Sequence, residues 1–192
     1  MMMMISKLNF FYNCTGPVAQ CSGGSNPPPF TASVNSGTYL NTAMASTITC
    51  TNTITSWHYC YYPSAASDSS LTYTAIVGVW RLNAAMNQYE LLPGSNYTLS
   101  LVQPASTPAR IFCKREILQP ENYVRVETGD VVGVSLPTSN PLPIVASGAT
   151  GYSLMTHTAL NAPMTILMSV LTPASDMALH LYPTIGKCTS YY

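Results

Sequence analysis

The stretch Thr72-Tyr73-Thr74-Ala75-Ile76-Val77-Gly78-Val79-Trp80-Arg81-Leu82 decides the class of this protein. Branched and aromatic residues dominate it. Alternation sorts Ile76, Gly78 and Trp80 onto one face and Val77, Val79 and Arg81 onto the other. Both sets are mainly apolar, as expected of a strand near the middle of a sheet and covered on both sides. Val131 to Leu136 repeats the pattern, with Val132, Val134 and Leu136 opposite Val131, Gly133 and Ser135. Strands of this kind need a second layer over each face, which two packed sheets supply.

Working outward, short Thr-, Val-, Ile- and Tyr-rich stretches recur between clusters of Pro, Gly, Asn and Ser, and none carries a sustained helical stripe. The expected strands are Thr47 to Thr55, Ser56 to Tyr62, Thr72 to Leu82, Gln88 to Leu92, Tyr97 to Gln103, Arg110 to Leu118, Tyr123 to Val126, Val131 to Leu136, Tyr152 to Thr156, Met164 to Leu171 and Ala178 to Tyr182. Pro93-Gly94-Ser95 and Glu127-Thr128-Gly129-Asp130 read as turns. The class that follows is all-β: a two-sheet, jelly-roll-like β-sandwich over residues 38–192. Before it, residues 1–37 hold Cys14, Cys21 and the run Pro27-Pro28-Pro29, and read as a disulfide-tethered amino-terminal arm.

Only 7% of the residues are charged, and seven basic residues balance seven acidic ones. A chain without net charge lacks the field that gathers polyanions, so nucleic acid is not an expected partner. The most apolar late stretch, Ala162 to Leu181, is broken by Pro163, Pro173, Asp176 and His180 and does not read as a membrane-crossing helix.

The six cysteines, Cys14, Cys21, Cys50, Cys60, Cys113 and Cys188, make an even set that points to disulfides and an oxidising compartment. Six cysteines allow about fifteen connectivities, and Cys60 with Cys113 ranks above the others because both fall in expected core strands. Cys14 with Cys21 and Cys50 with Cys188 complete the expected set. The triplets Asn13-Cys14-Thr15 and Asn96-Tyr97-Thr98 are acceptors for N-linked glycan, in keeping with an extracellular or cell-surface location.

Motifs that carry chemistry are sparse. His58, His157 and His180 show no metal-ligand spacing, and no Gly-x-Ser-x-Gly elbow is present. Asp130, directly after Gly129, reads as a turn residue whose carboxylate takes nearby backbone donors. No catalytic residue, metal or cofactor is expected. The aromatic run Ser56-Trp57-His58-Tyr59-Cys60-Tyr61-Tyr62 is the candidate contact surface. Trp57 and Trp80 are expected mainly in packing, whereas Tyr61 and Tyr62, at a strand end before Pro63, are expected to reach solvent; Trp57 and His58 complete the candidate set.

Trp57-His58-Tyr59-Cys60, Val79-Trp80-Arg81, Tyr89-Glu90-Leu91-Leu92-Pro93-Gly94-Ser95, Phe112-Cys113 and Glu127-Thr128-Gly129-Asp130-Val131-Val132-Gly133-Val134 occur in that order. Over residues 46 to 146 this set resembles uncharacterised ectodomain modules of sponge surface proteins. The resemblance implies an extracellular β-sandwich, often upstream of other modules or a membrane span, with Cys60 and Cys113 as a pair and no catalytic residues. The functional expectation is an extracellular, non-catalytic binding or adhesion module for a protein or glycan. The alternative is a structural or assembly subunit with a jelly-roll fold.

Overall fold

A computed structural model describes residues 11–17, 32–33, 36–42, 47–62, 70–103, 105, 111–137, 142–147, 153–158, 161–175 and 177–191. Two antiparallel sheets account for most of them. The first contains β1 (Phe11–Pro17), β2 (Ala32–Ser33), β4 (Asn52–Tyr62), β8 (Phe112–Ile117), β9 (Val124–Val126), β11 (Leu142–Ser147), β15 (Met177–Leu179) and β16 (Leu181–Tyr191). The second contains β3 (Gly37–Asn41), β5 (Leu71–Asn83), β6 (Gln88–Leu91), β7 (Tyr97–Gln103), β10 (Val131–Leu136), β12 (Ser153–His157), β13 (Thr165–Leu167) and β14 (Thr172–Ser175). The sandwich expected from the alternating strands is the observed architecture.

The main core lies between the sheets. Ile54, Trp57, Tyr59, Tyr61, Leu181 and Ile185 come from the first, and Val77, Val79, Leu99, Leu101, Val132 and Val134 from the second. Ile54 and Trp57 both face inward although three positions separate them, which a regular strand forbids. The cause is a bulge: β16 pairs Thr184 with Ser56 but Ile185 with Ile54, leaving Thr55 as the extra residue that resets the alternation. Of the two expected strands, Thr47 to Thr55 and Ser56 to Tyr62, the part from Asn52 onward thus runs as the single strand β4. Ile48 lies before it, fully buried and hydrogen-bonded through its backbone to Gly129 and Asp130.

β5 is as internal as its sequence implies, with β6, β7 and β10 as partners. The second sheet runs β13-β6-β5-β10-β3-β12-β14. Laid flat, six strand spacings would hold its edges about 29 Å apart. Leu167 at one edge and Thr172 at the other are only five residue steps apart, a reach of at most about 18 Å. The sheet must therefore curl. Its concave face closes around a second cluster formed by Leu40, Trp80, Tyr89, Leu91, Val131, Ala162, Ile166 and Leu171. Trp80 is fully buried there and donates Nε1 to the Pro163 carbonyl at 3.2 Å.

Beneath the indole, Gly78 and Gly133 face each other across β5 and β10. A Cβ on Gly133 would stand 3.0 Å from Trp80 Cζ3 and 2.5 Å from the Tyr39 carbonyl oxygen, and one on Gly78 3.1 Å from the same ring. The glycine pair is the seat of the tryptophan.

Met164 to Leu171, expected as one strand, instead gives β13 followed by a short 3-10 turn at Met168–Val170. This turn carries the chain from one edge of the curled sheet to the other. Strands β3, β11 and β14 were not expected. Pro173 within β14 is tolerated because that strand pairs only with β12 among the described strands.

Two pieces of the expected arm join the first sheet, β1 beside β16 and β2 beside β11. The Cys60–Cys113 disulfide expected from the sequence is present, with its Cα atoms 4.1 Å apart at directly opposed positions of β4 and β8. Cys14 and Cys188 hold the same relation in the register of β1 and β16. Directly opposed antiparallel residues lie within the span a disulfide bridges. Cys50 is also disulfide-bonded, and Cys21 lies outside the described residues. Peptide mapping of unreduced protein is accordingly expected to return Cys14 linked to Cys188 and Cys21 linked to Cys50. A linked peptide joining Cys14 to Cys21 would restore the pairing read from sequence order.

Candidate functional site

Strand parity disperses the aromatic surface expected on β4. Trp57, Tyr59 and Tyr61 share the inward face, and Trp57 and Tyr61 are both fully buried. This corrects the expectation that Tyr61 reaches solvent and removes Trp57 as a contact residue. The reason is alternation itself, since Tyr61 follows Trp57 by an even number of positions and the core claims both. Tyr61 donates its hydroxyl to the Val102 carbonyl at 2.8 Å and stacks on Phe112 with ring centroids 5.5 Å apart. Burial, reinforced by Glu116, Tyr61 and Tyr97, pushes the Tyr59 hydroxyl up to about 12. Trp57 Nε1 is the one buried side-chain polar atom among the described residues without a hydrogen-bond partner. The Tyr62 side chain lies outside the described residues, as do those of Asn13, Cys14 and Cys188.

His58 points the other way, onto the outer face of the first sheet. Its ring stacks against Tyr182 at 4.8 Å with 6° between planes, and Nε2 hydrogen-bonds to Thr184 Oγ1 at 2.8 Å. Burial first, and the Arg115 guanidinium second, lower its pKa. The imidazole packs flat against Tyr182, and its described nitrogen contact is internal.

Four described carboxylates, Asp130, Glu127, Glu116 and Glu90, serve the scaffold. Asp130 is buried and accepts the Glu127 backbone N–H at 2.8 Å, as its place in the turn predicts. It also takes a two-pronged bond from Arg81, Nε at 2.7 Å and Nη2 at 2.9 Å, an arrangement that raises the Arg81 pKa. Glu127 adds a 3.1 Å ion pair to the same guanidinium. Glu116 accepts from the Tyr97 hydroxyl at 3.2 Å, and Glu90 accepts from Gln88 and Asn83, which together lower its pKa. Among the described residues no group of three His, Cys, Asp or Glu is arranged to hold a metal ion.

Among the described residues an open cleft of about 390 Å³ lies beside β3, β12 and β14. Its floor is set by register. Val77, Val134, Tyr39, Thr156 and Thr172 lie in one row across five successive strands, on the sheet face that points toward the core. The row is apolar where the sheets overlap and hydroxylated beyond Tyr39. Ser36, His157, Thr158 and Val170 complete the described lining.

Gly37 brings the Ser36 end close. It adopts a φ of +145°, open in practice only to glycine, and a Cβ there would stand 2.9 Å from the His157 carbonyl oxygen. Thr156 spends its hydroxyl proton on the Thr172 carbonyl at 3.2 Å. The hydroxyls of Ser36, Thr158 and Thr172 have no hydrogen-bond partner among the described residues. No charged side chain appears in the described lining.

Sequence reading did not find this cleft, because its residues are scattered Ser, Thr, Val, Tyr and His positions brought together by strand pairing. Asn96 is exposed in the turn between β6 and β7. The class defined by these features is a disulfide-tied β-sandwich with one curled sheet and a hydroxyl-lined cleft. No family model, curated protein or solved structure matches the chain.

Proposed function

We propose that this chain is an extracellular, non-catalytic binding or adhesion module. The cleft on a rigid, cross-linked scaffold is the observation that carries the reading. Its volume falls within the range of small-ligand sites, and it opens beside β3 and β12, each paired on both sides, and the outer strand β14. The described lining offers hydroxyls and one imidazole but no carboxylate, so paired-acid chemistry has no support there. The Cys60–Cys113 bridge and the exposed Asn96 acceptor favour the secretory route.

Expression through a eukaryotic secretory pathway is expected to yield oxidised protein whose mass falls on enzymatic removal of N-linked glycan, and Asn96→Gln is expected to abolish the part due to that site. Screening the purified protein on glycan arrays and against intact cells tests the binding role; an absence of any specific binding in both would overturn it.

A second reading, a self-assembling structural subunit, draws on the exposed apolar side chains of Leu82, Met86, Met164, Leu167 and Val170 along the β6–β13 side and the turn that follows. Light scattering separates the two: a mass that grows with concentration supports assembly, and a constant monomer mass removes it.

A further inference from the structure

We propose that the cleft at β3, β12 and β14 holds a neutral polyhydroxylated ligand, namely a pyranose residue of a glycan. The inference rests on the reading of the chain as a binding module and names the ligand class for its cleft.

Charge argues first. The described lining contains no Lys, Arg, Asp or Glu, and the whole chain carries no net charge. Apart from the His157 imidazole, no described lining residue pairs with a carboxylate, sulfate or phosphate, and no long-range field draws an anion in. An uncharged ligand meets no such deficit.

Hydrogen bonding argues second. Ser36, Thr158 and Thr172 are exposed and hold hydroxyls that no described residue engages. Each hydroxyl both donates and accepts, and so matches the sugar hydroxyl, which does the same. Because these groups already face water, exchanging water for sugar hydroxyls leaves no buried polar atom orphaned. Val170, half exposed, adds aliphatic surface against which the C–H face of a pyranose packs, while Tyr39, 8% exposed, closes the floor.

The competing occupant is an extended peptide adding a strand to β14, the outer strand of its sheet. Pro173 weighs against it, since it removes a backbone donor from the middle of that edge, and peptide addition depends on an unbroken ladder. Hydroxyl side chains also make poor pockets for the alternate side chains of such a strand.

The test uses the full oxidised chain, labelled with ¹⁵N and titrated with methyl glycosides of glucose, galactose, mannose and fucose and with N-acetylglucosamine; sialic acid and a sulfated disaccharide are the charged comparators. At least one neutral sugar is expected to produce saturable amide shifts centred on residues 36–39, 156–158 and 170–172, with a dissociation constant of order 1 mM as suits one ring in an open site. Thr172→Arg is expected to weaken that binding tenfold or more, and the exposed position lets the variant fold, which near-ultraviolet circular dichroism checks. Ser36→Ala with Thr158→Val removes two hydroxyls without adding bulk and is expected to weaken it severalfold.

Equal or tighter binding of the charged comparators at the cleft overturns the assignment. Glycan binding that maps elsewhere, or that Thr172→Arg leaves intact, overturns the cleft while the binding-module reading stands. Specific binding to cells or peptides with no response to any neutral sugar has the same consequence. No binding to any glycan, peptide or cell surface overturns both.

Discussion

Trp80→Ala is expected to destabilise the oxidised protein by about 3–5 kcal/mol, among the largest costs a single substitution here can carry. The indole is fully buried, fills the concavity of the curled sheet and donates to the Pro163 carbonyl. Alanine would leave a cavity that cannot collapse, because the wall behind the ring is the Gly78–Gly133 backbone pair and the wall in front is the connection through Ala162, Ile166 and Leu171. In a chain of this length the corresponding fall in melting temperature is about 10 °C. Urea unfolding followed by circular dichroism measures the effect. A cost below about 1 kcal/mol, the size of an ordinary surface change, would mean that the sheet does not close over Trp80. Gly133→Ala approaches the same contact from below and is expected to destabilise by about 1–3 kcal/mol, since the Tyr39 carbonyl it would strike is backbone and cannot rotate away.

The second large effect concerns the Cys60–Cys113 bridge. Replacing both residues by serine is expected to lower stability by about 4 kcal/mol on the chain-entropy account of a closed loop of this length. The bridge spans a sequence separation of 53. The location of the loss distinguishes it from that at Trp80. Strand β8 pairs only with β4 among the described strands, and none of its residues is fully buried. Little apolar burial holds β8, so the ladder to β4 and the disulfide are its principal tethers. Amide exchange in Phe112 to Ile117 is thus expected to accelerate well before that of β5 or β10 in the double variant. Uniform acceleration throughout both sheets would refute this local account.

How much of the molecule was legible in its sequence can be judged residue by residue. The facing of β5 and β10 was readable because both strands alternate without interruption. Val77, Val79, Val132 and Val134 enter the main core while Trp80 and Val131 enter the second cluster. The role of Asp130 in its turn was equally readable, because a turn is local. Its bond to Arg81 was not, since 49 positions separate the two and only the ladder between β5 and β10 brings them together. Tyr61 was misplaced because proximity to Pro63 outweighed a parity signal that the sequence did contain.

By itself the sequence determined the β class and the turns around Gly94 and Gly129, because period-two patterning and turn residues act through local chemistry; it favoured Cys60 with Cys113, but the β4–β8 register makes that bridge across a separation of 53. Tertiary structure alone decided the curl of the second sheet, the opposition of Cys14 and Cys188, and the cleft. Each depends on which strands become neighbours and in what register, and register is fixed by the burial of whole faces rather than by any single segment.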